Sequence, residues 1–148
     1  MSRKKAREIV LCLVFEKEYQ KDAGCDKLYQ DLIELAESSE DFKDLKDNLT
    51  EEDKKYIKET FFGVFENLEK IDDTISGSII GWKYNRISKV SMALLRIAVY
   101  EIMNANADVS SSVAINEAVE LSKIYDDSKA YGFVNGVLGS VAKNFRSA

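Results

Sequence analysis

The 148-residue chain contains no proline and no histidine, and it has only 7 glycines and 2 cysteines. Proline and glycine are the residues that most often interrupt helices, so their scarcity favours long helices. The absence of histidine excludes a Ser-His-Asp or Cys-His catalytic site and an imidazole metal ligand. Two cysteines are too few for a disulfide scaffold or a four-cysteine zinc site, and we expect no metal or other cofactor.

Long apolar runs are also missing. The apolar run at residues 9–15 follows a basic start like that of a signal peptide, but charged residues follow it at once and no small-residue cleavage site appears. No stretch approaches the roughly 20 apolar residues of a membrane span. We therefore expect a cytoplasmic protein without membrane contact.

Apolar residues recur at helical spacing along most of the chain, and they make up 45% of it, which is enough for one core. Hydroxyl residues at Thr50, Ser88 and Ser128 are typical of helix starts. Seven helices are predicted, at about residues 2–19, 26–39, 51–68, 71–81, 90–103, 113–125 and 129–145. The predicted fold is an all-α compact bundle, with the apolar segment 90–103 as its central buried helix.

Charge is segregated along the chain. The 21 Lys and Arg against 26 Asp and Glu give a net charge of −5, yet the first seven residues contain Arg3, Lys4, Lys5 and Arg7 and no acid. Such a cluster at a helix N-terminus is unfavourable for the helix dipole. Phosphate binding would explain why a sequence keeps it there, and a short basic terminus that aids solubility is the alternative.

Aromatic residues accompany bases in two segments. Phe15 and Tyr19 are four residues apart in the first predicted helix, and Tyr131 and Phe133 follow Lys129. Single-stranded RNA is bound by stacking unpaired bases on such rings beside Arg and Lys. Rings at helical spacing are also typical of a core, so this pattern alone leaves the function open.

Three spaced motifs resemble one protein family. The run VAINEAVELSK at residues 113–123, followed by FVNGVL at 133–138, closely resembles the signature of the NusB transcription antitermination factors. The segment LLRIAVYE at 94–101 is similar to the central helix of that family, and Trp82 with Arg86 is similar to a pair often found there. The basic start of the chain is also similar, so the resemblance spans nearly the full length.

This resemblance implies an all-α fold of two packed subdomains with about three and four helices. We place them at about residues 1–70 and 71–148, within a single RNA-binding domain over 1–148. The implied function is that of a non-enzymatic factor that binds boxA-type single-stranded leader RNA together with the ribosomal protein NusE. The factor joins an RNA polymerase antitermination complex and promotes read-through in rRNA operons.

The resemblance also implies where RNA and NusE would bind. The RNA surface combines the basic N-terminal helix with the loop before the last helix, and its residues are Arg3, Lys4, Lys5, Arg7, Phe15, Lys129, Tyr131 and Phe133. Residues 85–91 correspond to a surface where relatives use acids to meet NusE. This chain has Asn85, Ser88 and Ser91 there, so we expect partner binding to be kept with altered contacts.

Two other functions stay open at this point. One is a helical protein–protein interaction module, or a homodimer without RNA binding, for which the basic N-terminus would have little use. The other is an enzyme, whose chemistry would depend on carboxylate pairs such as Glu117 with Glu120 or Asp126 with Asp127. A metal site at the first pair would need further oxygen ligands, and the second is typical of a helix start, so we expect no catalysis.

One buried ion pair is also predicted. Arg96 lies among apolar residues of the central helix, where a charged side chain must be paired. Glu117 is an acid in an equally apolar helix and is the predicted partner.

Overall fold

A computed structural model describes residues 2–38, 49–79, 87–104 and 109–147 of the chain. Within these ranges the secondary structure consists of seven α-helices and no strands, so the all-α prediction is confirmed. The helices are α1 (Arg3–Tyr19), α2 (Cys25–Ser38), α3 (Glu51–Glu66), α4 (Leu68–Gly77), α5 (Lys89–Met103), α6 (Ser111–Tyr125) and α7 (Ala130–Ser147).

Hydroxyl side chains begin several of these helices. The backbone N–H of Asp53 donates to Thr50 Oγ1 over 3.1 Å, and the N–H of Thr50 donates back to Asp53 Oδ2 over 3.0 Å. This reciprocal cap satisfies two backbone donors that the first turn of α3 leaves without helical partners. Ser2 and Ser110 cap α1 and α6. The hydroxyl of each accepts a hydrogen bond from the backbone N–H three residues later, that of Lys5 and that of Val113.

The structure differs from the sequence-based prediction around Asn67. The pattern predicts a helix through Leu68, whereas α3 ends at Glu66 and α4 begins at Leu68. The Asn67 backbone N–H and side-chain Nδ2 both donate to the carbonyl oxygen of Gly63, over 3.1 Å and 2.8 Å. An asparagine side chain that bonds to the backbone in this way competes with helix continuation, and the chain turns there.

The chain divides into two compact units, Met1–Phe62 and Gly63–Ala148. The first contains α1, α2 and most of α3, and apolar side chains on all three helices are fully or almost fully buried. The second contains the last turn of α3 and helices α4 to α7. The division falls within α3, and the border between subdomains that we expect near residue 70 stays a prediction.

Helix α5 is the centre of the second unit. It packs against α4, α6 and α7, and most of its side chains from Ser91 to Ile102 are buried. The prediction of a central buried helix is therefore confirmed. The core around it consists of Ile71, Ile75, Ile79, Met92, Leu95, Ala98, Val99, Ile102, Ala114, Ala118, Val134, Val137, Leu138 and Val141.

The ion pair of Arg96 forms with Asp72 of α4. The Arg96 Nε lies 2.9 Å from Asp72 Oδ1, and Nη2 lies 3.1 Å from Oδ2. The two side chains therefore form a bidentate salt bridge between α5 and α4. The predicted pairing with Glu117 is wrong: Glu117 Oε2 is buried, and it has no hydrogen-bond partner among the described residues. Both α4 and α6 pack on α5, and residue spacing does not show which of them supplies the acid.

We expect Asp72→Ala to lower the free energy of unfolding by about 2 kcal/mol, because Arg96 is only 9% exposed and would lose a two-pronged acceptor. The loss should be smaller than for a fully buried pair, since Asp72 is partly solvated. Urea denaturation measures it, and Asp73→Ala is the matched control because Asp73 is exposed on the same helix. Equal effects of both substitutions would contradict a stabilising role for the pair.

Gly63 allows a close approach between α3 and α5. A Cβ atom at this position would overlap with the ring and hydroxyl of Tyr100. The Tyr100 hydroxyl also accepts a hydrogen bond from Asn104 Nδ2 over 3.2 Å, which limits how far the ring can shift. Glycine at position 63 therefore makes room for the aromatic side chain.

We expect Gly63→Ala to destabilise the chain by about 1–3 kcal/mol, because overpacking outweighs the better helix propensity of alanine. Gly139→Ala in α7 is the control, since a Cβ there meets no atom within 4 Å. It should be neutral or stabilising by up to about 1 kcal/mol. The midpoint of thermal unfolding should fall for Gly63→Ala and stay the same or rise for Gly139→Ala. An unchanged midpoint for Gly63→Ala would contradict the close contact.

Candidate nucleic-acid interface

The basic residues at the start of α1 do not share one environment. The first turn contains no acid, and Arg3, Lys4 and Lys5 are exposed. Arg7, by contrast, is buried, with 5% of its surface exposed. Three of the four predicted cations therefore lie at the surface, and the fourth is part of the interior of the first unit.

Arg3 and Arg7 both lie near the ring of Tyr56 on α3. The Arg3 Cζ is 4.0 Å from the ring centroid, and the Arg7 Cζ is 5.9 Å from it. Both distances are within the range of a cation–π contact. Sequence analysis did not identify Tyr56, because it lies in another helix and no spacing rule connects it with residues 3 and 7.

Phe15 lies further along the same helix and forms a ring pair with Tyr19. Their centroids are 5.1 Å apart with an angle of 57° between the planes. Phe15 is half-buried, whereas Tyr19 is 65% exposed. Phe15 is about 18 Å from Arg3 along the helix axis, so the pair and the basic residues occupy different parts of α1.

The second predicted RNA-binding segment lies in the second unit, where α6 turns into α7. Lys129 is exposed, and Tyr131 in the first turn of α7 is 43% exposed. Phe133 is half-buried and packs against the core of the unit. Tyr131 therefore offers a ring face to a ligand, whereas much of the Phe133 ring is used for packing.

Lys123 of α6 is a further cation at this turn that sequence analysis did not select. Its Nζ lies 5.2 Å from the centroid of the Tyr131 ring and 3.5 Å from Glu120 Oε1. The cation is thus close to an exposed ring, although the neighbouring acid offsets part of its charge. Its position within the VAINEAVELSK motif was the available signal.

Of the three residues predicted to bind a partner, the structure describes two. Asn85 lies outside the described residues. The hydroxyls of Ser88 and Ser91 each donate to Asp126 Oδ2 over 2.6 Å, and Ser91 is buried. These two serines therefore join the start of α5 to the end of α6, and their role toward a partner stays a prediction.

Asp126 is held as a carboxylate by these contacts. Burial by itself would raise the pKa of its carboxyl, but hydrogen bonds from Ser88, Ser91 and the backbone N–H of Asp127 bring the pKa below its ordinary value. The group is therefore ionised at neutral pH and acts as an acceptor. This arrangement gives Asp126 a structural use at the helix ends.

The part of the chain that the structure describes contains neither a metal-binding cluster nor a membrane-spanning helix. No three Cys, Asp or Glu side chains there come together as a group able to hold a metal ion. None of the helices there combines the length and the apolar character needed to cross a membrane.

The chain matches known proteins along almost all its length. The model of the NusB family matches residues 4–143. The transcription antitermination protein NusB of Acetivibrio thermocellus is 41% identical over 143 residues, covering 97% of this chain and 90% of that protein. The protein of the same name from Clostridium perfringens is 40% identical over 146 residues, covering 99% of this chain and 100% of that protein.

Solved structures show the same fold. The T. maritima NusB structure has a TM-score of 0.79 and 29% identity, covering 97% of this chain and 92% of that one. A structure described as antitermination factors NusB and NusE in complex with dsRNA has a TM-score of 0.76 and 22% identity, with 96% of each chain covered. The family match and the similarity to the curated proteins together show that the chain belongs to the NusB family.

Proposed function

We propose that the chain is a transcription antitermination factor that binds boxA-type leader RNA together with the ribosomal protein NusE. In this role it promotes read-through by RNA polymerase in rRNA operons. Membership of the NusB family and the name shared by its relatives support the proposal. The observation that carries RNA binding is the exposed, acid-free basic turn at the start of α1.

In this proposal each unit contributes its own contacts to RNA. Arg3, Lys4 and Lys5 bind phosphates, and their side chains are exposed. Tyr131 stacks on an unpaired base, with Lys129 and Lys123 supplying positive charge beside it. Arg7 and Phe133 are buried or half-buried near these residues and hold them in place, whereas the half-buried Phe15 contributes its ring further along α1.

NusE is proposed as the protein partner, and the segment containing Asn85, Ser88 and Ser91 as its contact. One structure with a similar fold is described as NusB and NusE in complex with dsRNA, and this supports NusE as the partner that we propose. Ser88 is the more accessible of the two described serines and caps α5, so NusE would meet that helix end. We propose that the chain acts in the cytoplasm and by binding alone, without catalysis.

We expect the triple variant Arg3→Gln/Lys4→Gln/Lys5→Gln to reduce the dependence of RNA affinity on salt. Each phosphate contact to single-stranded nucleic acid contributes about 0.7 to the slope of log K against log salt concentration, so the slope should fall by about 2. Fluorescence anisotropy with labelled boxA-type RNA between 50 and 200 mM salt, roughly the range over which such contacts weaken, measures it.

A second triple variant provides the control for net charge. Lys21→Gln/Lys27→Gln/Lys55→Gln also removes three exposed positive charges, but none of them lies in the first turn of α1. Its slope should stay close to that of the unaltered chain. If both variants lower the slope equally, the effect is one of overall charge and the N-terminal phosphate site is wrong.

We expect Tyr131→Ala to weaken binding of the same RNA by at least about 5-fold, because loss of one base–ring stack costs roughly 1–3 kcal/mol. Tyr131→Phe keeps the ring and should bind almost normally. Phe145→Ala is the matched control, since Phe145 is a similarly exposed ring near the other end of α7. Similar losses for Tyr131→Ala and Phe145→Ala would argue against stacking at this position.

A homodimer or protein-only module is the competing function. Both forms of this alternative predict no RNA binding by the folded chain, and the homodimer also predicts a mass in solution that corresponds to two copies. Sedimentation of the chain with and without RNA distinguishes the two functions directly.

A further inference from the structure

The contact between Arg3 and Tyr56 has an unusual electrostatic setting. Helix α3 carries three acids in its first turn, Glu51, Glu52 and Asp53, so carboxylates are plentiful on the helix that Arg3 approaches. Nevertheless, Arg3 forms no ion pair with a described carboxylate, and its guanidinium lies over a neutral ring. The side chain is thus held in place while it keeps its full charge.

This distinction matters for an anion-binding residue. A carboxylate partner would fix an arginine but would also cancel the charge that a phosphate requires. The face of an aromatic ring attracts a guanidinium through its quadrupole and adds no negative charge. An arginine held in this way also loses less conformational freedom when it binds a ligand.

Arg7 is a second, buried arginine near the Tyr56 ring. It lies one helical turn after Arg3 on α1, it is 5% exposed, and its guanidinium is 5.9 Å from the same ring. Tyr56 is half-buried, so its position is constrained by the surrounding side chains. Two guanidinium groups of one helix therefore lie near the same ring, and that of Arg3 belongs to an exposed side chain.

We infer that Tyr56 is a positioning residue that holds the Arg3 guanidinium ready for an RNA phosphate without neutralising it. This inference rests on the proposed function, since it requires the N-terminal basic residues to bind RNA. It adds a residue that no sequence motif selected and assigns it a role in binding rather than in the core alone.

The test compares Tyr56→Phe, which keeps the ring, with Tyr56→Leu, which keeps an apolar side chain but removes the quadrupole. Affinity for labelled boxA-type RNA should stay within about 2-fold for Tyr56→Phe and fall about 2- to 5-fold for Tyr56→Leu. Thermal unfolding establishes that each variant is folded. In an Arg3→Ala background, Tyr56→Leu should have no further effect on RNA affinity, which a merely structural role would not explain.

A second variant guards against misfolding of Tyr56→Leu. The substitution Tyr56→pentafluorophenylalanine keeps the approximate shape of the Tyr56→Phe ring but reverses the sign of its quadrupole. It should bind RNA about 2- to 5-fold more weakly than Tyr56→Phe, and thermal unfolding establishes that it is folded. Equal affinity of these two ring variants would overturn the inference.

The outcomes separate this inference from the function on which it rests. If Arg3→Ala leaves RNA affinity and its salt dependence unchanged, Arg3 binds no phosphate and the inference is overturned; if the triple variant at residues 3–5 is also without effect, the N-terminal phosphate site of the proposed function is wrong as well. If Arg3→Ala weakens binding but Tyr56→Leu does not, that site stands and the role of Tyr56 is wrong. If Tyr56→Leu weakens binding equally with and without Arg3, the ring acts on RNA by another route and the positioning role is also overturned.

Discussion

Burial of α5 is the constraint on which the second unit depends. Side chains on almost every face of this helix are removed from water, so α4, α6 and α7 must all pack on it. A buried helix with an arginine also needs an acid from a neighbour, and Asp72 of α4 supplies it. The end of α6 is joined to the start of α5 by Asp126, which accepts from Ser88 and Ser91. Polar contacts thus fix helices that apolar packing alone would hold less specifically.

The candidate RNA-binding residues use the helices in a different way. In the first unit, α1 buries most of its middle and keeps its basic first turn exposed. In the second unit, the start of α7 presents Tyr131 to solvent while Val134, Val137 and Leu138 enter the core. Each helix therefore has one part that stabilises its unit and another that remains available for a ligand. This arrangement suits the proposed binding role, because rigid helices hold the side chains in place.

The fold was predictable from sequence, whereas pairings between helices were not. Periodicity located all seven helices of the described residues, and hydroxyl residues marked the starts of some of them, but the turn at Asn67 depends on a side-chain bond to Gly63 that periodicity does not detect. The sequence showed that Arg96 must be paired, and only the packing of α4 on α5 identified Asp72. Arg3 and Arg7 lie on nearly the same side of α1, yet Arg3 is exposed and Arg7 is buried, a difference that helical periodicity does not show. Motif resemblance pointed to the α6–α7 turn but did not select Lys123, whose proximity to Tyr131 is visible only in the structure.

The most direct test of the central claim is an anisotropy titration of labelled boxA-type single-stranded RNA with the unaltered chain, alone and with NusE, at two salt concentrations. The account predicts weak binding by the chain alone, tighter binding when NusE is present, and a clear loss of affinity at the higher salt concentration. A folded chain that binds this RNA under none of these conditions would contradict the account and favour a helical module that binds only proteins.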